Sequence, residues 1–244
     1  MASLRRPTKS AAKLAVEPAP AARQRTREHF ADKAYRNLRA RILDNRMPSG
    51  EQFTEKELAA TLNMSRTPTR EAMLRLAKEG LVEVRPRHGM RVKPVSVADM
   101  REIHEVLTAL ESMAAALAAQ RRDCGDYVDR MRKAIREMDS ALERDDRRAW
   151  AEADERFHTL LVMAAGNSRL TELVQTFVDQ SHRVRMLTLR LRPKPTTSNR
   201  DHEAVVDAVA AHDAKLAREI HYTHRYKSGQ MLVDLLASHG LTRL

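Results

Sequence analysis

The sequence predicts a mainly α-helical protein: an N-terminal winged helix-turn-helix with a small β-hairpin wing, followed by a C-terminal all-α antiparallel helical bundle. Three observations carry this. The chain has 244 residues and a formal net charge of +11, and the excess is one-sided. Residues 1–28 hold seven Lys/Arg against two Asp/Glu and residues 29–94 hold fourteen against eight, whereas residues 95–244 balance at 23 and 23. A basic module suited to a polyanion, joined to a neutral module with another task, has this distribution. Residues 29–95 also run helix, helix, tight turn, helix, basic hairpin. Finally, residues 96–244 carry repeated helical stripes without strand-like alternation, and their only glycines before position 200 are Gly125 and Gly166.

The opening MASLRRPTKSAAKLAVEPAPAARQRTR is rich in Ala, Pro and Arg and poor in large apolar residues, so residues 1–28 read as a disordered basic arm. It has positive charge but no apolar segment, and a signal peptide is not expected. From Tyr35, the residues Leu38, Ile42 and Leu43 mark a first helix. RMPSGEQF is a turn punctuated by Pro48 and Gly50. TEKELAATL reads as a second helix, with Thr54 as its cap, Glu57 at the reciprocal capping-box position, and Leu58 and Leu62 facing inward. Asn63 suits a left-handed turn.

NMSRTPTREAMLRLAKEG supplies the third helix. Proline is tolerated in a first helical turn, where its missing N–H has no intrahelical partner. Ser65 or Thr67 then serves as N-cap, Ala72, Met73, Leu76 and Ala77 form the apolar stripe, and Gly80 ends the run. Arg66 and Arg70 oppose the helix dipole at this end, a mild cost that points to an anionic partner; the alternative is a solvated basic face. Leu81, Val82, Val84, Met90 and Val92, broken by Pro86 and Gly89, make a hairpin with a basic tip at Arg85, Arg87 and His88. In a winged helix-turn-helix the second helix enters the major groove by its N-terminal end. Arg66 and Arg70 then reach guanine edges or phosphates, and the hydroxyls of Thr67 and Thr69 reach phosphates.

In the second module the spacing predicts helices at about 97–120, 125–144, 146–165, 168–191, 199–212 and 214–238, arranged as a bundle. The informative residues are polar ones within apolar stripes. Asp154 and His158 share a face with Phe157 and Leu161. His202 is in register with Val205, Val206 and Val209, and His224 lies in a row with Leu216, Ile220, Met231 and Leu235. Any one of these histidines taken alone reads as a hydrogen-bonded core residue. Three imidazoles and a carboxylate converging would satisfy one another around a divalent metal. His104, His182, His212, His221 and His239 fit inward faces less well and read as surface or incidental.

Two stretches bear a family resemblance. GEQFTEKELAATLNMSRTPTREAMLRLAKEGLVEVRPRHGMRV resembles the DNA-binding domain of GntR-type bacterial transcription regulators. That resemblance implies DNA contacts from Arg66, Thr67 and Arg70 on the recognition helix, from Lys56 on the preceding helix, and from His88 and Gly89 at the wing tip. Asn63 stands where the family usually has glycine. DERFHTLLVMAAGNSRL and DHEAVVDAVAAHDAKLAREIHYTH are similar to the FCD effector-binding domain of the FadR-type subfamily. The resemblance implies a dimerising helical bundle whose metal, zinc or nickel, is held by Asp154, His158, His202 and His224 and helps to hold a small organic acid. Leu107 departs from it, occupying a position where these domains usually carry an arginine facing the pocket. Arg185 is the substitute contact considered.

The function expected is that of a ligand-responsive transcription regulator: a homodimer binding palindromic double-stranded operator DNA, with DNA affinity modulated by an effector. The competing readings are a metal-dependent enzyme carried on a DNA-binding head and an architectural DNA-binding protein. No general base stands at a telling spacing beside the metal-type residues, and an enzyme would leave the basic head unexplained. Cys124 is the only cysteine, so an intramolecular disulfide is excluded. No apolar run approaches the roughly 18 residues of a membrane span. These features fit a cytoplasmic protein.

Overall fold

The computed structural model describes residues 20–241. The first helix, α1, runs Pro20–Leu43. It therefore begins inside the segment expected to be a disordered arm, and residues 1–19 lie outside the described residues. Leu38 and Ile42 of α1 are fully buried. They pack with Leu58 of α2 (Glu55–Leu62), Met73 and Leu76 of α3 (Arg66–Lys78), and Leu81, Met90 and Val92 of the wing. The wing is a three-stranded antiparallel sheet in the order β1-β3-β2, from β1 (Gln52–Phe53), β2 (Val82–Arg85) and β3 (Gly89–Val92).

Local chemistry sets each junction. Thr54 and Glu57 form the reciprocal capping box at the start of α2. Asn63 takes the left-handed conformation at φ 49°, which its short polar side chain tolerates. Ser65 is the N-cap residue of α3. Gly89 has φ +83°, and a Cβ there would meet the Phe53 carbonyl oxygen at 2.0 Å, so only glycine lets β1 close onto β3.

Ser96 and Asp99 form a second capping box and start α4 (Val97–Gln120). The bundle continues with α5 (Gly125–Glu143), α6 (Arg147–Ala164), α7 (Ser168–Leu187), α8 (Thr196–Ala210) and α9 (Ala214–Ser238). The expected fourth and fifth helices of the bundle shift: α7 stops at Leu187 rather than 191, and α8 begins three residues early. The central α4 lies against α6, α7, α8 and α9. Met131, Met138, Phe157, Leu161, Val205, Val206 and Val209 form the larger core. Trp150 of α6 is buried within it and donates from its indole N–H to Asn199 Oδ1 at 2.9 Å, tying α6 to α8.

The head rests on α7. Arg39 of α1 pairs bidentately with Asp179, with Nε 2.6 Å from Oδ2. Gln180 Nε2 donates to the Glu79 carbonyl at 2.8 Å, and Arg183 donates to the Lys93 carbonyl at 2.6 Å. No helix among the described residues is long and apolar enough to cross a membrane.

Candidate functional site

Two faces carry chemistry. The first is the exposed start of α3. Arg66, Thr67 and Arg70 are exposed there, as is Lys56 on α2. Arg87, at φ 65°, and His88 are exposed at the β2–β3 turn. Arg85, expected at the basic tip, is drawn back along its strand by Glu83 at 3.0 Å. Thr69 departs from the expectation. It is fully buried, and its hydroxyl donates to the Ser65 carbonyl at 3.0 Å. One turn inside the helix it falls on the inward face with Ala72, Met73 and Leu76, so it braces the helix and offers nothing to a phosphate.

The second face is a buried centre between α4, α6, α8 and α9. Asp154 and His158 project from one side of α6, His202 from α8 and His224 from α9, all at 6% exposure or less. His202 Nε2 lies 3.2 Å from His224 Nε2, and Asp154 Oδ1 lies 3.7 Å from both His158 Nε2 and His202 Nε2. One ring nitrogen from each of the three histidines falls within 4.8 Å of the other two. Their outer nitrogens are held unequally. His224 Nδ1 donates to Asp201 Oδ2 at 3.1 Å. A carboxylate only accepts, so this bond leaves the Nε2 lone pair of a neutral ring pointing inward. His158 Nδ1 faces Glu111 Oε2 at 2.8 Å, a close but off-axis ion contact.

Sequence reading missed Glu111, His221 and Arg225. Glu111 is fully buried on α4 and meets His221 Nε2 at 3.2 Å and Arg225 at 3.2 Å as well as His158. His221 is fully buried and His104 is 7% exposed, so neither is a surface residue. The inward face of α9 passes through Ala217, His221, His224, Arg225 and Leu232, while Leu216 stays 45% exposed. That face is polar because it meets a carboxylate, which hides it from a search for apolar stripes. His182 is half-buried against Glu155 at 3.0 Å, and His212 and His239 are exposed as expected. Glu111 did leave a signal: it is the single acidic residue in LTALESMAAALAA. Leu107 is buried in an apolar cluster. Arg185 is engaged by Asp154, with NH2 2.9 Å from Oδ2, and it lines a small cavity beside His158 together with Arg225.

The electrostatics divide the centre. Burial penalises the Asp154 carboxylate, but His158, His202 and Arg185 outweigh it and hold its pKa far below the usual range. Burial also penalises charge on Glu111, where Arg225 and His158 win and its pKa falls well below normal. Burial holds His202 and His224 below the ordinary imidazole range, so both are neutral near pH 7. For His158, burial is outweighed by Glu111 and Asp154 and the pKa rises. Burial pushes His221 and His104 down to about 3.

The model of the FCD domain matches residues 102–226, and the model described as bacterial regulatory proteins, gntR family, matches residues 30–92. The chain belongs to the GntR family of transcription regulators. An uncharacterized HTH-type transcriptional regulator in the TAR-I ttuE–ttuC′ intergenic region of Agrobacterium vitis is 45% identical over 135 residues, 54% of this chain and 78% of that one. An uncharacterized HTH-type regulator in an unstable DNA locus of Streptomyces ambofaciens is 32% identical over 199 residues, 78% and 79% of the two chains. Among solved structures, E. coli McbR/YncC superposes with a TM-score of 0.71 at 19% identity, covering 84% of this chain and 97% of that one, a likeness of fold. The histidine centre lies within the FCD match and the basic face within the GntR match. The family consists of regulators rather than enzymes, which sets aside the reading of a catalyst on a DNA-binding head.

Proposed function

We propose that this GntR regulator binds a two-fold operator as a homodimer and adjusts that binding to a small organic acid held beside a divalent metal. The observation that carries the reading is the arrangement of Asp154, His158, His202 and His224. Three imidazoles from three helices bring one nitrogen each within 4.8 Å of one another, and Asp154 Oδ1 stands 3.7 Å from two of them. The 3.2 Å between His202 Nε2 and His224 Nε2 is a spacing that two nitrogens take around one ion at Zn–N lengths of about 2.0–2.1 Å. The outer carboxylates Asp201 and Glu111 stand where second-layer partners orient ligating histidines. The donor set suits zinc or nickel, and such an ion supplies a Lewis-acidic anchor for a carboxylate.

The cavity beside His158 supports the rest. Its walls include Val162, Val174 and Val178, and its polar lining combines Arg185 and Arg225 with Glu111, already paired to Arg225, and Glu155. Short aliphatic acids match that mixture of charge and apolar surface. On the DNA side, Arg66, Thr67 and Arg70 are the groove contacts, Lys56 is a phosphate contact, and Arg87, His88 and Gly89 form the wing-tip contact. One head reads only a few base pairs, so two heads and an inverted repeat supply the needed specificity.

The test is metal analysis of the full-length protein after reconstitution with zinc or nickel, followed by a thermal-shift screen of small organic acids with metal restored. Wild type and the His182→Ala control should hold one ion per chain, and His202→Ala and His224→Ala should lose it. Equal metal in all four proteins would sink the site.

A further inference from the structure

We propose that α7 couples the cavity to the DNA-binding head: filling the cavity and docking the head on α7 oppose each other. The proposal rests on the effector reading only in supposing that something occupies this cavity. As it stands the cavity measures about 20 Å³, room for a single water. Any organic acid must therefore move a wall. The walls from α4, α6 and α9 are tied to one another through Glu111, which meets His158, His221 and Arg225. The remaining wall is α7, through Val174, Gln175, Val178 and Arg185.

The same stretch of α7 holds the head. Asp179, next to Val178 in the chain, grips Arg39, and Gln175 at the cavity rim donates to Asp179 Oδ1 at 2.7 Å. Gln180 and Arg183 bond the carbonyls of Glu79 and Lys93 at the two ends of the wing. Gly80 leaves the space for this contact, since a Cβ there would come 2.7 Å from Gln180 Nε2. Two residues beyond Arg183, Arg185 holds Asp154 of the histidine centre. Cavity wall, head clamp and histidine tether thus share three turns of one helix, which cannot shift at one without shifting at the others.

Docking also carries a cost. Arg183 is 4% exposed, yet its Nε and NH1 groups have no hydrogen-bond partner. A buried guanidinium with unsatisfied N–H groups weakens the state that buries it. Undocking returns it to water. A shift of α7 that frees the head therefore relieves this cost, and by linkage a free head eases entry to the cavity.

The experiment needs neither metal nor effector. In full-length protein carrying Cys124→Ser, spin labels at Asp44→Cys and Arg148→Cys face each other across the cleft between head and bundle, and double electron–electron resonance reads their separation. Val174→Phe places a wedge in the cavity, with Val178→Leu as a milder wedge should the first fail to fold by circular dichroism. A folded wedge variant should shift the distances to longer, broader values. Arg39→Ala should do the same, and the two together should raise the undocked fraction further without adding a new distance, because both shift one equilibrium between the same two arrangements. A folded wedge variant with unchanged distances, or a double variant with a distance that neither single variant shows, would overturn the proposal. Zinc content of the same proteins reports separately on the metal reading, because neither Val174 nor Arg39 belongs to the donor set.

Discussion

Arg66 and Arg70 stand exposed at the start of α3 while Thr69, between them, is buried, and this contrast makes a sharp test of the DNA face. Arg66→Ala or Arg70→Ala should weaken operator binding by about 1–3 kcal/mol where the contact to guanine is bidentate. Lys56→Ala should weaken all sequences alike and flatten the salt slope by about one unit. Thr69→Ser should leave DNA affinity unchanged and lower stability instead, since it removes a buried methyl group. Salt-dependent binding titrations with operator and scrambled DNA separate these outcomes. Histidine protonation provides a second test at this scale. His104 and His221 titrate near 3 in the folded protein against about 6.5 when unfolded. Between those values the unfolded chain binds more protons, so stability is full above about pH 6.5 and falls as pH drops toward 3. The loss is at most about 1.4 kcal/mol per group per pH unit. His202 and His224 add to it, and His158, shifted upward, works the other way. Denaturant melts at pH 7 and pH 5 should show the lower midpoint at pH 5. A flat profile would mean that these rings carry protons in the fold. Because Glu111 and Asp154 favour the protonated His158 ring, metal uptake near neutrality should also release a proton, seen as a calorimetric heat that varies with the buffer.

At the scale of elements, most boundaries were legible because each rests on a local cue. The Thr54–Glu57 box, the left-handed Asn63, the inward Leu58 and the glycine at position 80 all follow from neighbouring residues. Periodicity likewise placed Asp154, His158 and His202, whose stripes are otherwise apolar. It failed on α9, where the inward face carries His221 and Arg225, because what makes those residues inward is Glu111, 110 positions away in the case of His221. A pairing across that distance leaves no periodic trace. It also misjudged the start of α1, since a composition of Ala and Arg reads as unstructured by hydropathy yet has good helix propensity. Two substitutions test the elements directly. Thr54→Ala should cost about 1 kcal/mol by removing the cap of α2. Gly89→Ala should cost more than the ~1–2 kcal/mol of a left-handed alanine, because the added methyl also strikes the Phe53 carbonyl. Thermal melts of the two variants should rank in that order.

For the whole molecule, charge and chemistry are divided between two bodies joined by few contacts. The basic head carries the excess charge, and the neutral bundle carries the buried acid–histidine centre. If that centre holds metal, chelation should lower the melting temperature of the bundle, because a ligand of the native state stabilises it by mass action. Readding zinc should restore it, and no shift on chelating fully loaded protein would count against the site. The lone tryptophan makes this observable without a label. Trp150 is the only one in the chain and lies one turn before Asp154 on the same helix, bonded to Asn199 just ahead of His202. Its fluorescence therefore reports on the α6–α8 pair and is silent about the head. Emission and far-ultraviolet dichroism followed in one heating run separate the two bodies: a single shared transition means that head and bundle unfold as one cooperative unit, and an early dichroism step with steady emission means that the head melts alone.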